Sequence, residues 1–172
     1  SLLFEDNASA YLTGLIAGRM TETNKVGFIG GMESPVISKF DYGFRAGVKA
    51  ANPDAEVMVQ YANSFTDSAL GKTIANQMHS KNADIIFTCA GAVGIGAIEA
   101  AKENGKKAIG VDQDQNALAP KNVITSAMKN IDVAVVELLS KVVDGSYKGG
   151  EVIINTLAMN GVGIPQSSEK NV

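Results

Sequence analysis

Reactive side chains are scarce in this sequence. One cysteine excludes an intrachain disulfide and a cysteine metal cage, and it is accompanied by one histidine and no tryptophan. No G-x-S-x-G elbow occurs, and Cys89 and His79 have no obvious orienting partner, so the parts of a nucleophilic enzyme are missing. Cys89, at the end of an apolar run, reads as a buried structural thiol. His79, before Ser80-Lys81-Asn82, reads as a solvated or helix-capping residue. A net charge of -3 and the lack of any Lys/Arg cluster remove the basic field that nucleic acid or another polyanion would need. No apolar run approaches the roughly 20 residues of a membrane-spanning helix. There is no signal segment, internal repeat or low-complexity linker.

What is present is a globular core. At 172 residues and 45% apolar composition, the chain is one domain or slightly more. Strand and helix patterns alternate along it. Residues 26–30, 57–62, 85–87, 107–111, 123–127 and 151–157 read as strands. Residues 8–20, 36–51, 68–80, 95–102 and 130–143 read as helices. Residues 1–4 could end a further strand. The first helix presents Leu12, Leu15, Ile16 and Ala17 as its apolar face, and Gly14 and Gly18 allow close packing. Asp6, Asn7 and Ser9 are all competent to cap it. Pro35 suits the start of the second helix, where Val36, Phe40, Phe44 and Val48 recur every fourth residue. Thr66 or Ser68 would cap the third, with Leu70, Ile74 and Met78 inward. Residues 161–172 read as a polar tail. The pattern predicts an α/β fold: three layers, α/β/α, around a mostly parallel sheet.

Residues 84–115 are the organising stretch. Apolar strand, Ala90-Gly91-Ala92 turn, helix, Asn104-Gly105 stop and second strand ending in Asp112 make a βαβ unit. Parallel strands put Gly91 and Asp112 on the same carboxyl edge, where open α/β sheets bind ligands. The glycines run G-x-x-G-x-G, neither the dinucleotide fingerprint nor a Walker loop. They suit a ligand approaching the backbone or close helix packing. Asp112-Gln113-Asp114 supplies too few oxygens for a Mg²⁺ or Ca²⁺ site. Asp114 suits helix capping, and Asp112 suits accepting hydroxyl hydrogen bonds. Lys129 lies past the next strand at the same edge, either solvated or facing Asp112. Phe40 fits core packing with Phe44, or a ring face offered to a flat ligand.

Three segments carry a resemblance: KVGFIGGMESPVISKFDYGFRAGVKAANP, TCAGAVGIGAIEAAKENGKKAIGVDQDQ and VITSAMKNID, with the tail NGVGIPQSSEKNV. Together they resemble the basic membrane protein family of bacterial substrate-binding lipoproteins, of which purine nucleoside receptors form a branch. The resemblance implies one lobe of a type I periplasmic-binding-protein-like fold, with residues 1–172 a single ligand-binding lobe. A first lobe and a lipid-bearing cysteine would precede Ser1, and a final helix would follow Val172. The helix at residues 130–144 would belong to that other lobe, its apolar face open to self-association in this chain alone. By position, Phe40 would stack on a base and Asp112 would accept ribose hydroxyls. Lys129 would contact the sugar or hold Asp112, and Gly91 and Ala92 would admit the ligand to the backbone. The implied function is the solute-binding component of an ABC importer, taking a small-molecule ligand such as a purine nucleoside. Its partner would be the permease of the same system, in the cell envelope, outside the cytoplasm and lipid-anchored. The resemblance implies no cofactor, metal, nucleic acid or catalysis. A ligand-sensing domain of a transcription regulator, with the same fold, is the alternative, and an enzyme on the same sheet is a third reading.

Overall fold

The computed structural model describes residues 1–171. Elements follow in the order β1 (Leu2–Phe4), α1 (Asp6–Met20), β2 (Lys25–Gly30), α2 (Pro35–Ala51), β3 (Glu56–Tyr61), α3 (Ser68–Ser80), β4 (Ile85–Cys89) and α4 (Ala92–Glu103). After them come β5 (Lys107–Asp112), a 3-10 turn at Asn116–Leu118, β6 (Val123–Lys129), α5 (Ile131–Val143), β7 (Ile153–Asn155), β8 (Val162–Gly163) and a second 3-10 turn at Gln166–Lys170. The main sheet has the order β3-β2-β4-β5-β6-β8. Its first five strands are parallel, and β8 is antiparallel to β6.

Strand alternation builds two cores. Val26, Phe28, Ile85 and Phe87 pack with Phe40, Phe44 and Val48 of α2 and Ala10 and Ala17 of α1. Their neighbours Ile29 and Ile86 pack on the other face with Ile74 and Met78 of α3 and Val93 and Ala97 of α4. Every residue of β4 is buried, as a strand covered on both faces must be. Aromatic rings tie the first core together: Phe87 lies 5.5 Å from Phe28 and 5.2 Å from Phe44, centre to centre.

The α1 face differs from the sequence pattern. Leu12, Leu15 and Ile16 are only half-buried, while Ser9, Ala10, Thr13, Gly14, Ala17 and Gly18 are buried. Backbone contact with α2 explains the change. A Cβ on Gly14 would collide with Phe44 O, and one on Gly47 with Tyr11 O. Two Gly-x-x-x-Gly stripes, Gly14/Gly18 and Gly43/Gly47, bring the helix axes too close for large side chains between them.

Smaller corrections have equally local causes. Asp67, not Thr66 or Ser68, caps α3, its Oδ1 accepting from Leu70 N at 2.9 Å. No side chain caps α1: Glu5 holds the cap position, and Asp6, Asn7 and Ser9 already lie inside the helix. The α4 helix starts at Ala92, three residues earlier than its apolar spacing indicates, since Gly91 at φ +57° turns the chain at once. His79 is buried rather than solvated, with Nδ1 2.9 Å from Ala83 O. Its pKa is lowered, chiefly by burial. The tail is ordered: β8 joins the sheet, and Ser168 is buried with its hydroxyl donating to Thr125 Oγ1 at 2.8 Å. Val172, the last residue of that tail motif, lies outside the described residues.

At one end the chain crosses three times between the main sheet and a separate pair of strands, after β1, after β6 and before β8. β1 pairs with β7 in a separate two-stranded parallel sheet. Asn155 Nδ2 donates to Leu3 O at 2.9 Å, and Asn130 Nδ2 donates to Asn160 O at 2.8 Å. Beyond these ties, α5 exposes Ile131, Val135, Val136, Leu139, Val142 and Val143, and only Ala134 of this helix is buried.

Candidate ligand cavity at the carboxyl edge

Gly91, Asp112 and Lys129 come from three different segments and meet because β4, β5 and β6 are adjacent and parallel. A cavity of about 430 Å³ is lined by these three residues with Thr88, Val111, Gln113, Gln115, Ile131 and Asp132 among others. A second, of about 240 Å³, shares Gly91, Val111, Asp112 and Lys129 and adds Phe40 and Phe65. The larger volume suits a small-molecule site, and the smaller cavity adjoins it through the shared residues. Clefts of similar size between α1 and the tail, and between α1 and α2, are mostly apolar and gather fewer polar groups.

The backbone at Asp112 is held in a sparsely populated conformation. Its φ is +66°, and Gln113 N donates to Val111 O at 2.8 Å, closing a γ-turn about Asp112. Gln115 fastens that turn. Its Oε1 accepts from Val111 N at 3.0 Å, and its own N–H donates to Ser126 Oγ at 3.1 Å. Asp114 Oδ1 accepts from Asn116 N at 3.0 Å, an Asx turn and not the helix cap its position suggests, since Gln115 holds the cap position of the following 3-10 turn. Strain of this kind at a strand end marks a residue whose direction matters. The carboxylate of Asp112 is exposed at the mouth. The walls around it still remove enough water to push its pKa up, Lys129 opposes that shift, and Asp6 adds to it.

Lys129 is held on several sides. Its Nζ is 2.8 Å from Asp6 Oδ1, with Asp6 almost wholly buried. The same ammonium stands 5.4 Å from the Phe40 ring centre and 5.5 Å from that of Phe4, within cation–π range. Phe40 is 2% exposed and packs edge-on against Phe87. It therefore belongs to the core and forms part of the cavity floor at the same time. The tie between its helix and β3 is polar: Arg45 Nε donates to Asp41 Oδ1 at 2.7 Å, and Tyr61 donates to Asp41 Oδ2 at 3.2 Å. Burial, then the Asp41 charge, pushes the Tyr61 pKa up to about 12.

Ala92 is the predicted site residue that does not join the others. Its N–H donates to Phe65 O at 2.8 Å and it lines neither cavity. Three contributors escape a reading of the sequence. Phe65 is a 40% exposed aromatic on the wall, supplied by a loop. Asp6 looks like a helix cap, and Gln115 like any loop glutamine. For Asp6 the only available signal is a carboxylate in the first turn of a helix. Cys89 lines the smaller cavity, but burial, with the Asp112 charge behind it, raises its thiol pKa far out of the reactive range. Among the described residues no three His, Cys, Asp or Glu side chains converge to hold a metal ion.

Comparison with known proteins gives a consistent picture. The family model described as ABC transporter substrate-binding protein PnrA-like matches residues 1–172. Basic membrane protein B of Borreliella burgdorferi is 42% identical over 173 residues, covering 98% of this chain and 51% of that protein. The ABC transporter nucleoside-binding protein BmpA of Lactococcus lactis subsp. cremoris is 41% identical over 179 residues, covering 94% of this chain and 51% of that protein. This chain thus spans about half the length of the curated relatives it matches. The crystal structure of ABC transporter system solute-binding proteins from Aeropyrum pernix K1 is similar with a TM-score of 0.89 and 30% identity. That match covers 100% of this chain and 50% of the other.

Proposed function

This chain belongs to the Bmp family of PnrA-like ABC transporter substrate-binding proteins, and from that premise we propose that the full-length protein captures a purine nucleoside for import. The observation that carries the proposal is the meeting of Asp112, Lys129 and Gly91 in one cavity floored by Phe40. The strained Asp112 turn aims an ionised acceptor at the cavity, suited to the paired hydroxyls of a ribose. Lys129 contacts the sugar oxygens, its position fixed by Asp6. The exposed Phe65 offers apolar ring surface to the base, with the buried Phe40 backing the cavity floor, and base–aromatic contact is worth about 1–3 kcal/mol in other settings. Gly91, without a Cβ, leaves room for the ligand beside the backbone. A relative named as nucleoside-binding supports the same ligand class.

The ligand closes between this lobe and a second one. The α5 helix belongs to that second lobe, which covers the row of exposed valines and leucines that this chain leaves bare. The protein is a binding protein and not an enzyme: each group at the cavity has a holding role and none is poised as a nucleophile. It delivers its solute to the permease of its own system from outside the cytoplasm, anchored by lipid. A thermal-shift panel on the full-length protein tests the ligand class, because a bound ligand stabilises the fold by mass action. Guanosine, inosine or adenosine at 100 μM raises the melting temperature, and free ribose and hexoses do not. Stabilisation by sugars alone would overturn the nucleoside reading.

A further inference from the structure

We infer that Asp6 sets the charge selectivity of the cavity by holding Lys129, an inference that rests on the nucleoside reading above. A lysine at the mouth of a sugar site is an obvious anchor for a phosphate. Here its charge is already committed. Asp6 is 3% exposed, sits on the first turn of α1, and puts its carboxylate 2.8 Å from Lys129 Nζ. Lys129 is the only cation among the residues lining the two cavities, where Asp112 and Asp132 are the carboxylates. With Asp6 behind it, one ammonium faces three carboxylates.

The influence of Asp6 reaches Asp112 itself, whose pKa its charge helps to raise. The first turn of α4 opens on the same cavity at Gly91. Its dipole, a partial charge confined to the helix end, favours an anion only modestly. Full carboxylate charges in a site partly shielded from water repel an anion more strongly. The balance is negative, and a dianionic phosphate ester would enter against it. An uncharged sugar would not, because it needs hydrogen bonds and not a counter-ion. Asp6 is thus a positioning residue. It fixes the ammonium beside the Phe40 ring and withdraws its charge from ligands, reserving the site for unphosphorylated solutes.

The test is calorimetric titration of the full-length protein with guanosine and guanosine 5′-monophosphate, at low and high salt, for wild type and Asp6→Asn. In the wild type the nucleoside binds at least about a hundredfold more tightly than the monophosphate. Added salt then strengthens monophosphate binding, because it screens a repulsion. In Asp6→Asn the preference narrows by about tenfold or more, and the gain in monophosphate binding with salt shrinks, because Asp112 and Asp132 still outnumber Lys129. A merely structural role for Asp6 would lower both affinities together and leave the size of the salt response alone. If Asp6→Asn alone fails to fold, the pair variant Asp6→Asn/Lys129→Met decides: a lysine charge already committed to Asp6 leaves the preference for nucleoside over monophosphate close to wild type, and a preference that widens by about tenfold or more would overturn the role of Asp6. Guanosine binding together with monophosphate binding that weakens with salt in the wild type would overturn the role of Asp6 and leave the nucleoside reading standing. Failure of the wild type to bind guanosine, inosine or adenosine would overturn both.

Discussion

Gly47→Ala provides a sharp test of how the first layer is held together. In an exposed helix interior this change stabilises by about 1 kcal/mol, because alanine is the better helix former. Here the new methyl would collide with Tyr11 O and stand 2.9 Å from Leu15 N and 3.0 Å from Gly14 Cα. These are backbone atoms of α1 and cannot rotate aside, so the two helices must separate. Overpacking costs about 1–3 kcal/mol, and the rigidity of the neighbours puts this case near the top of that range. Subtracting the propensity gain leaves a net destabilisation of about 2 kcal/mol. For a domain of this size that is a fall of roughly 4–8 °C in melting temperature. Gly149→Ala, where an added Cβ meets nothing within 4 Å, is the control and leaves the melting temperature close to wild type. The assay is thermal and urea unfolding followed by far-UV circular dichroism. A Gly47→Ala protein as stable as wild type would refute the close-approach account of α1 and α2.

Burial of His79 predicts acid sensitivity. Its folded-state pKa lies below the ordinary histidine value, so the unfolded chain binds the proton more readily as pH falls. Stability is therefore fully present above about pH 7 and declines as pH drops through the ordinary value of about 6.5, with a slope of up to about 1.4 kcal/mol per pH unit. Urea midpoints measured from pH 7.5 to 5 should show that slope in wild type and lose it in His79→Asn. The exposed apolar face of α5 predicts that the 172-residue chain alone self-associates with concentration. Sedimentation velocity of Val136→Glu/Leu139→Glu should return a monomer, and a wild-type chain monomeric at high concentration would contradict the prediction.

Much of the fold is legible in the sequence because its strands are short apolar runs separated by strong punctuation. Asn104-Gly105 stops α4 with Gly105 at φ +64°, and Pro35 opens α2 under a Ser34 cap. The α1 face is partly legible: Ala17 and the close packing at Gly14 and Gly18 follow from the sequence, and the partial exposure of Leu12, Leu15 and Ile16 does not. Residue hydrophobicity says nothing of a backbone contact made through glycine, and Gly14 and Gly18 outrank Leu12 and Leu15 only once α2 is in place. The tail was read as polar because β8 is two residues long, too short for any period to register. At the cavity, Gly91, Asp112 and Lys129 were legible from sheet topology alone, since all stand at the carboxyl ends of parallel strands or just beyond them. Asp6 comes from the first turn of α1 and Phe65 from a loop, and only three-dimensional packing brings them in. The hydrogen bond from Ala92 N–H to Phe65 O is not legible in the sequence, because it joins the start of α4 to a loop that only the fold brings beside it.

The most direct test of the account is calorimetric titration of the full-length protein with a purine nucleoside panel, repeated with Asp112→Ala. Two charge-assisted hydrogen bonds to ribose, each worth about 1.5–3 kcal/mol, predict tight wild-type binding that weakens at least about a hundredfold in Asp112→Ala. Tight nucleoside binding that survives the substitution would contradict the role of the Asp112 turn. No binding to any nucleoside by the folded protein would contradict the proposed function and turn attention to the ligand-sensing alternative.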